Sequence, residues 1–239
     1  MDKLSYSVLY QDIGVRDYKE VWEIQEKIFG ELIRSKLREQ QINSDKENPL
    51  PGTLIFVEHP HVYTLGKNGS ENNLLIDHIQ LQTKDAKFFR TDRGGDITYH
   101  GPGQIVGYPI FDLEKMGVSL KEYIHGLEEA VIMTVSHFGI SGSRLDGATG
   151  VWLDTGMNSK ARKICAIGVR ASRYVTMHGF AFNVNTDLNY FNYINPCGFT
   201  DKGVTSLEKE LGERQDFEAV KLLVKNNLYK VFNLNWINK

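Results

Sequence analysis

RGGDITYHGPGQIVGYPI, residues 93 to 110, is the stretch on which the reading of this chain turns. Glycines at 94, 95, 101, 103 and 107 and prolines at 102 and 109 surround Arg93, Asp96, Tyr99 and His100. Glycine tolerates positive φ and lets a ligand or another strand lie against the backbone, while proline fixes φ and removes a donor. Two compatible readings follow. The stretch is a shaped wall, and it is a hairpin in which Gly-Pro-Gly turns between strands at 97–100 (ITYH) and 105–110 (IVGYPI). The expectation is a hairpin that lines a pocket.

Upstream of it, TLIFVEHPHVYTLG (53–66) reads as two short strands bent at Pro60, and residues 67–87 form a polar surface excursion. His59 and His61 sit at i and i+2, but no cysteine or acid cluster completes a metal set, so a hydrogen-bonded or solvent-facing pair is the better reading. Further back, LSYSVLY alternates as a first strand. Residues 17–41 then place Tyr18, Val21, Trp22, Gln25, Ile28, Phe29, Leu32 and Ile33 on one helical face, and a polar loop (42–52) follows.

Downstream, Ser119 and Glu122 fit a capping box that opens a helix whose core stripe runs from Leu120 through Tyr123, Ile124, Leu127 and Val131 to Phe138. SGSRLDGATG (141–150) reads as a loop. Residues 150–186 alternate as two or three strands with turns at TGMNSK and ASR. From Thr155 to Thr186 there is no acid, while Lys160, Arg162, Lys163, Arg170 and Arg173 are basic. This segment is either a lysine-protected sheet edge or a docking patch for an acidic partner. A short helix capped by Thr205 and Glu208 and stopped by Gly212 comes next, followed by a last helix from Asp216. No repeat or long linker divides the chain, which predicts one α+β domain over residues 1–239, its mixed or antiparallel sheet covered by helices.

Composition narrows the class. With 239 residues, 41% hydrophobic and 24% charged content and a net charge of −2, the chain has the make-up of a globular protein and no general attraction for nucleic acid. The start, MDKLSYSVLY, carries an early acid and no long apolar run, so no signal peptide is expected. Runs such as LIFV (54–57) are too short to cross a bilayer, and two cysteines fit a reducing cytoplasm.

Those cysteines are the candidate nucleophiles. Cys197, between Pro196 and Gly198, reads as an exposed loop thiol, and Cys165, inside the alternating run KICAIGV, as a packing thiol. An ordinary thiol, with a pKa of about 8.5, is only a few per cent ionised at neutral pH, so a catalytic one needs a cation or base beside it. His100, His178 and Lys163 are all available, and the residues alone do not rank them.

With its flanks EHPHVYTLG (58–66), TGVWL (149–153), RKICAIGVR (162–170), HGFAFNVNTDL (178–188) and INPCG (194–198), the central stretch resembles the octanoyl-[acyl-carrier-protein]:protein N-octanoyltransferases, also called lipoate-protein ligase B or lipoyl(octanoyl) transferases. The matches run in order from about residue 53 to 208. The resemblance implies the α+β catalytic domain shared with biotin and lipoate ligases. It makes Cys197 the acyl-thioester nucleophile and Lys163 its partner. Arg93, Gly94, Gly95, Asp96, Ile97, Thr98, Tyr99 and His100 become one wall of the acyl site, completed by Ala166, Ile167, Gly168, Gly179, Phe180 and Ala181. Cys165 departs from the pattern, standing where many relatives carry alanine; strand alternation would put it on the face of Lys163. The implied donor is octanoyl-acyl carrier protein. The implied acceptors are lipoyl domains of 2-oxoacid dehydrogenase acyltransferase subunits and the glycine cleavage H protein. No ATP, metal, nucleic acid or membrane is expected, and the enzyme is expected to be a cytoplasmic monomer. The rival readings are an ATP-dependent lipoate or biotin ligase, an octanoyl amidotransferase between lipoyl domains, and a non-catalytic binder of such domains.

Overall fold

The computed structural model describes residues 5–42, 50–157, 160–196 and 202–237. The alternating start forms β1 (Tyr6–Val15), and the helical periodicity after it forms α1 (Tyr18–Ile42). Pro60 separates β2 (Gly52–Glu58) from β3 (Val62–Leu65). The excursion that follows holds α2 (His78–Thr83) and β4 (Lys87–Arg90), and the glycine-rich stretch holds β5 (Ile97–His100) and β6 (Gln104–Ile110). Next come α3 (Leu113–Met116) and α4 (Leu120–His137), the latter opened by the Ser119–Glu122 capping box. The chain then runs through β7 (Ser143–Leu145), β8 (Ala148–Leu153), β9 (Arg162–Ser172), β10 (Val175–Asn183) and β11 (Gly203–Val204). It closes with α5 (Leu207–Leu211), α6 (Phe217–Phe232) and β12 (Leu234–Ile237).

Among the described residues these strands make two sheets. The large mixed sheet runs β12-β1-β2-β6-β10-β9-β8-β7, with β11 added parallel to β9, and the small one runs β4-β3-β5. Buried side chains of α4 and α6, among them Leu127, Val131, Val224 and Leu228, pack on one face of the large sheet. The other face takes Val21, Phe29 and Leu32 of α1 against Ile55, Val106, Tyr108 and Met177. A separate core around Tyr63, Tyr99 and Ile194 backs the small sheet.

The expected hairpin at Gly-Pro-Gly is not formed. β5 pairs with β3 in the small sheet, whereas β6 pairs with β2 and β10 in the large one. The same division separates β2 from β3, so the chain crosses between sheets at Pro60 and again at residues 101–103. The two crossovers are tied together: Gly103 N–H donates to the Glu58 carboxylate at 2.7 Å, and the Gly103 carbonyl accepts from Asn185 N–H at 2.9 Å. Local turn chemistry cannot tell a hairpin from a crossover, because both need the same backbone freedom; Gly103 has φ +78°. Elsewhere, SGSRLDGATG is a β7–β8 hairpin rather than a loop, turning at Asp146-Gly147. The cap of α5 is Ser206, whose hydroxyl accepts from Lys209 N–H, while Thr205 donates to Glu210.

Candidate active site

A cavity of about 440 Å³ is lined by residues of β6, β9 and β10 together with the 93–100 segment. Its floor is unusually flat. Ala166 pairs with Ala181 and Gly168 with Gly179 across β9 and β10, so two rows of the sheet carry almost no side chain. At Gly179 an added Cβ would lie 2.2 Å from the Gly107 carbonyl oxygen, so nothing larger fits. All of the residues expected from 93 to 100 line this cavity except Tyr99, and Lys163, Ala166, Ile167, Gly168, Gly179, Phe180 and Ala181 line it too. Tyr99 points the other way, into the core of the small sheet, where it stacks on Tyr190 at 5.0 Å and shares a 2.7 Å hydrogen bond with His61 Nδ1. Leu120 and Ile124, expected in the α4 core stripe, also border the cavity.

Lys163 reaches the cavity through an irregularity in β9. Trp152 pairs with Lys163 but Val151 pairs with Cys165, so β9 takes two steps to one of β8. A bulge of this kind breaks side-chain alternation. Ile164 and Cys165 both enter the α4/α6 core, and Lys163 turns to the cavity, its stem over Gly150. Its ammonium donates to the Thr149 carbonyl at 3.1 Å and lies 4.7 Å from the Trp152 ring centroid. The same-face expectation for Cys165 therefore fails. Its thiol is fully buried and burial pushes its pKa up, which makes it a packing cysteine. Cys197 lies outside the described residues. Pro196, the residue bonded to it, and Lys202 both line the cavity.

Burial disfavours the charged form of both histidines named as activators. His100 Nδ1 donates to the Gln104 amide oxygen at 2.9 Å, and its Nε2 accepts from Thr64 Oγ1 at 3.3 Å. That tautomer is fixed because the Gln104 amide nitrogen is spent on Tyr99 O and Asn183 Oδ1, and Arg93 donates to Thr64 Oγ1. Burial, then the neighbouring His59 and Arg93, holds His100 well below the usual imidazole range. His178 is also pushed down by burial, against the pull of Asp92, to which its Nε2 donates at 2.9 Å. Arg93 is a buried strut: it donates to Thr64 O at 2.6 Å and to Gly94 O at 3.1 Å. Asp96 holds the turn, accepting from Asn73 Nδ2 at 2.6 Å and Ile97 N–H at 2.7 Å. His59 and His61 share no site: His59 bonds Arg16 O and Tyr108 Oη, each at 2.8 Å, and His61 stacks on Tyr190 at 4.1 Å.

The basic segment is not a free patch. Arg162 pairs with Glu210 and Asp154, and Arg170 with Asp92 and Glu26. The neutralising acids come mostly from distant parts of the sequence, leaving Lys160 and Arg173 as its exposed members. Sequence reasoning also missed Asp92, Glu128 and Trp152. Glu128, buried in α4, accepts from Gly150 N–H at 3.0 Å and so fixes the strand beside Lys163. Trp152 stood inside the motif TGVWL, and Asp92 directly precedes Arg93; neither position betrays a side chain's target.

The lipoyl protein ligase A/B catalytic domain family matches residues 17–228. An octanoyltransferase of Cytophaga hutchinsonii is 49% identical over 96% of this chain and 94% of its own length. One from Bacteroides fragilis is 57% identical over 85% of this chain and 88% of its own. The octanoyltransferase of Porphyromonas gingivalis is 52% identical over 95% of this chain, which spans 44% of that longer protein. Among solved structures, the bipartite lipoate protein ligase of Thermoplasma acidophilum superposes with a TM-score of 0.67 at 12% identity, covering 98% of this chain and 86% of that one. A lipoate-protein ligase A bound with ATP superposes with a TM-score of 0.64 at 12% identity, covering 99% and 89%. At such identities the superpositions speak for the fold. No helix among the described residues is long and apolar enough to cross a membrane.

Proposed function

This chain belongs to the lipoyl protein ligase A/B catalytic domain family, and from that premise and its octanoyltransferase relatives we propose that it transfers an octanoyl group from acyl carrier protein to the lysine of a lipoyl domain, through a thioester on Cys197. One observation carries the mechanism. The Lys163 ammonium stands in a cavity floored by glycine and alanine, which Pro196, the neighbour of Cys197, also lines.

The donor is a thioester on a pantetheine arm. Cys197 thiolate attacks its carbonyl, the carbon–sulfur bond to pantetheine breaks, and the departing sulfur takes a proton from Lys163. Lys163 is then a neutral amine. When the acceptor lysine attacks the acyl-Cys197 thioester, that amine takes the proton lost by the incoming nitrogen, an amide forms, and Cys197 leaves as thiolate. Both residues are back in their starting states. A thioester is already activated, so the chemistry needs neither ATP nor a metal. The flat floor suits an alkyl chain, which gains about 0.8 kcal/mol for each methylene it buries. The acceptors are lipoyl domains of the kind carried by 2-oxoacid dehydrogenases and the glycine cleavage H protein.

The test is octanoyl transfer from acyl carrier protein to a lipoyl domain by purified protein without ATP. Transfer is expected in the wild type and lost in Cys197→Ser. Near wild-type transfer by Cys197→Ser, or a strict requirement for ATP, would overturn the proposal.

A further inference from the structure

Glu128 is a carboxylate taken almost wholly out of water, 4% exposed in the middle of α4, and the reaction as drawn leaves it without a task. A buried charge is costly to a fold unless each oxygen finds a partner. Both do. Oε2 accepts from Arg144 Nε at 3.0 Å, and Oε1 accepts from Gly150 N–H at 3.0 Å. Arg144 is more than a third exposed, and it also bonds Glu129 at 2.7 Å and the His125 carbonyl at 2.9 Å.

The Gly150 N–H and the Thr149 carbonyl belong to one peptide unit, and that carbonyl accepts from the Lys163 ammonium at 3.1 Å. A trans peptide points its N–H and C=O in opposite directions, so carboxylate, peptide and ammonium stand in file. The backbone is shaped for it. Gly150 has φ +127°, and an added Cβ would lie 2.5 Å from the Cys165 carbonyl oxygen, so only glycine turns its N–H toward α4 here. The Trp152 ring, whose indole N–H is pinned to the Ala148 carbonyl at 2.8 Å, lies against the ammonium. The other ionisable groups near this file are Arg144 on Glu128, Lys202 on the cavity wall and the Cys165 thiol, kept neutral by burial.

We propose that Glu128, acting through the Thr149–Gly150 peptide, is the positioning residue that keeps Lys163 an ammonium ion held at the cavity. The inference rests on the acyl-transfer reading above. A carboxylate on the N–H side draws electron density onto the carbonyl oxygen and strengthens the bond beyond it. With about 2.3 Å between N and O of one peptide, the carboxylate and the ammonium are no more than about 8.4 Å apart. At an effective dielectric of about 20, a unit charge at that distance changes the acidity of an ammonium about thirtyfold. Arg144 offsets part of this, leaving about tenfold.

The experiment follows the Cε resonance of Lys163 against pH in protein carrying carbon-13 lysine, the signal being identified by its loss in Lys163→Met. Glu128→Gln keeps an acceptor for Gly150 N–H and removes the charge, so the ammonium should become about tenfold more acidic. Arg144→Gln leaves the carboxylate in place, and the ammonium should become no more acidic. Equal acidity in the wild type and Glu128→Gln would overturn the relay. So would an equal rise in both variants, which is what a mere tie between α4 and the β7–β8 hairpin predicts. Should Glu128→Gln fail to fold, the Gly150 amide decides. Its proton resonance should move upfield in Lys163→Met as the bond to Glu128 slackens, and an unmoved resonance would overturn the relay. Activity gives a separate readout. Formation of octanoyl-enzyme from octanoyl-acyl carrier protein needs the ammonium, so its fall on the basic side should begin about one pH unit lower in Glu128→Gln, with KM little changed; an unshifted profile would also count against the relay. A wild type that forms no acyl-enzyme would reject the acyl-transfer reading, and the titrations would still judge Glu128.

Discussion

Gly103→Ala tests the crossover between sheets, the feature that separates this fold from the hairpin its sequence suggests. Two costs can be worked from the structure. Gly103 has φ +78°, and forcing an alanine into that region costs about 1–2 kcal/mol. A Cβ there would also lie 2.4 Å from the Asn185 carbonyl oxygen and 2.5 Å from its carbon, so backbone must move. The groups that would be pulled apart are Gly103 N–H to Glu58 at 2.7 Å, and the Gly103 carbonyl's bonds from Asn185 N–H at 2.9 Å and Thr186 Oγ1 at 3.1 Å. At about 1 kcal/mol each, losing all three adds about 3 kcal/mol. Gly139→Ala is the control, because Gly139 has φ +74° with nothing within 4 Å of its added Cβ. It pays the strain alone. For a chain of this length about 1 kcal/mol moves Tm by about 2–4 °C, so Gly103→Ala should melt at least about 6 °C below Gly139→Ala by circular dichroism or calorimetry. Melting within about 2 °C of the control would refute the packed crossover.

Cys165→Ala should retain octanoyl transfer and lower Tm by about 2–4 °C, since it removes one buried sulfur from the core; loss of transfer in a folded variant would contradict the packing assignment. Lys163→Arg keeps a positive charge but cannot accept a proton at neutral pH, so overall transfer should fall about 100-fold or more, and near wild-type turnover would remove the proton-shuttle role. His59 titrates at about 4 in the folded protein because burial disfavours its charge. The unfolded chain binds its proton below about 6.5, so more protons are bound unfolded than folded between those values, and stability must fall as pH falls. His59 alone should cost about 1.6 kcal/mol between pH 6.5 and 5, with His100 and His178 adding in the same direction. Urea unfolding at the two pH values measures it; equal stabilities would show that these rings are not buried neutral.

What was legible in the sequence is what local chemistry decides. The α1 stripe, the Ser119–Glu122 capping box, the strand character of 162–183 and the glycine-rich wall all follow from spacing and residue type, and the structure forms each of them. What was not legible depends on pairing across long distances in the chain. ITYH and IVGYPI are both strands, but only their partners β3 and β2 decide that they lie in different sheets. A one-residue bulge in β9 reverses the relation of Lys163 to Cys165, and no residue in RKIC announces it. The basic run from 160 to 173 looked unopposed because Asp92, Glu26 and Glu210 lie far from it in sequence. Tyr99 shares its strand with Thr98 and His100, which line the cavity, yet the opposite pleat carries it into another core.

The most direct test of the central claim is the mass of the intact protein after incubation with octanoyl-acyl carrier protein, followed by peptide mapping. One octanoyl group should be found, on Cys197, and it should be discharged to a lipoyl domain with no nucleotide present. An adduct on Cys165, or transfer in single-turnover samples in which no acyl-cysteine ever forms, would contradict the account.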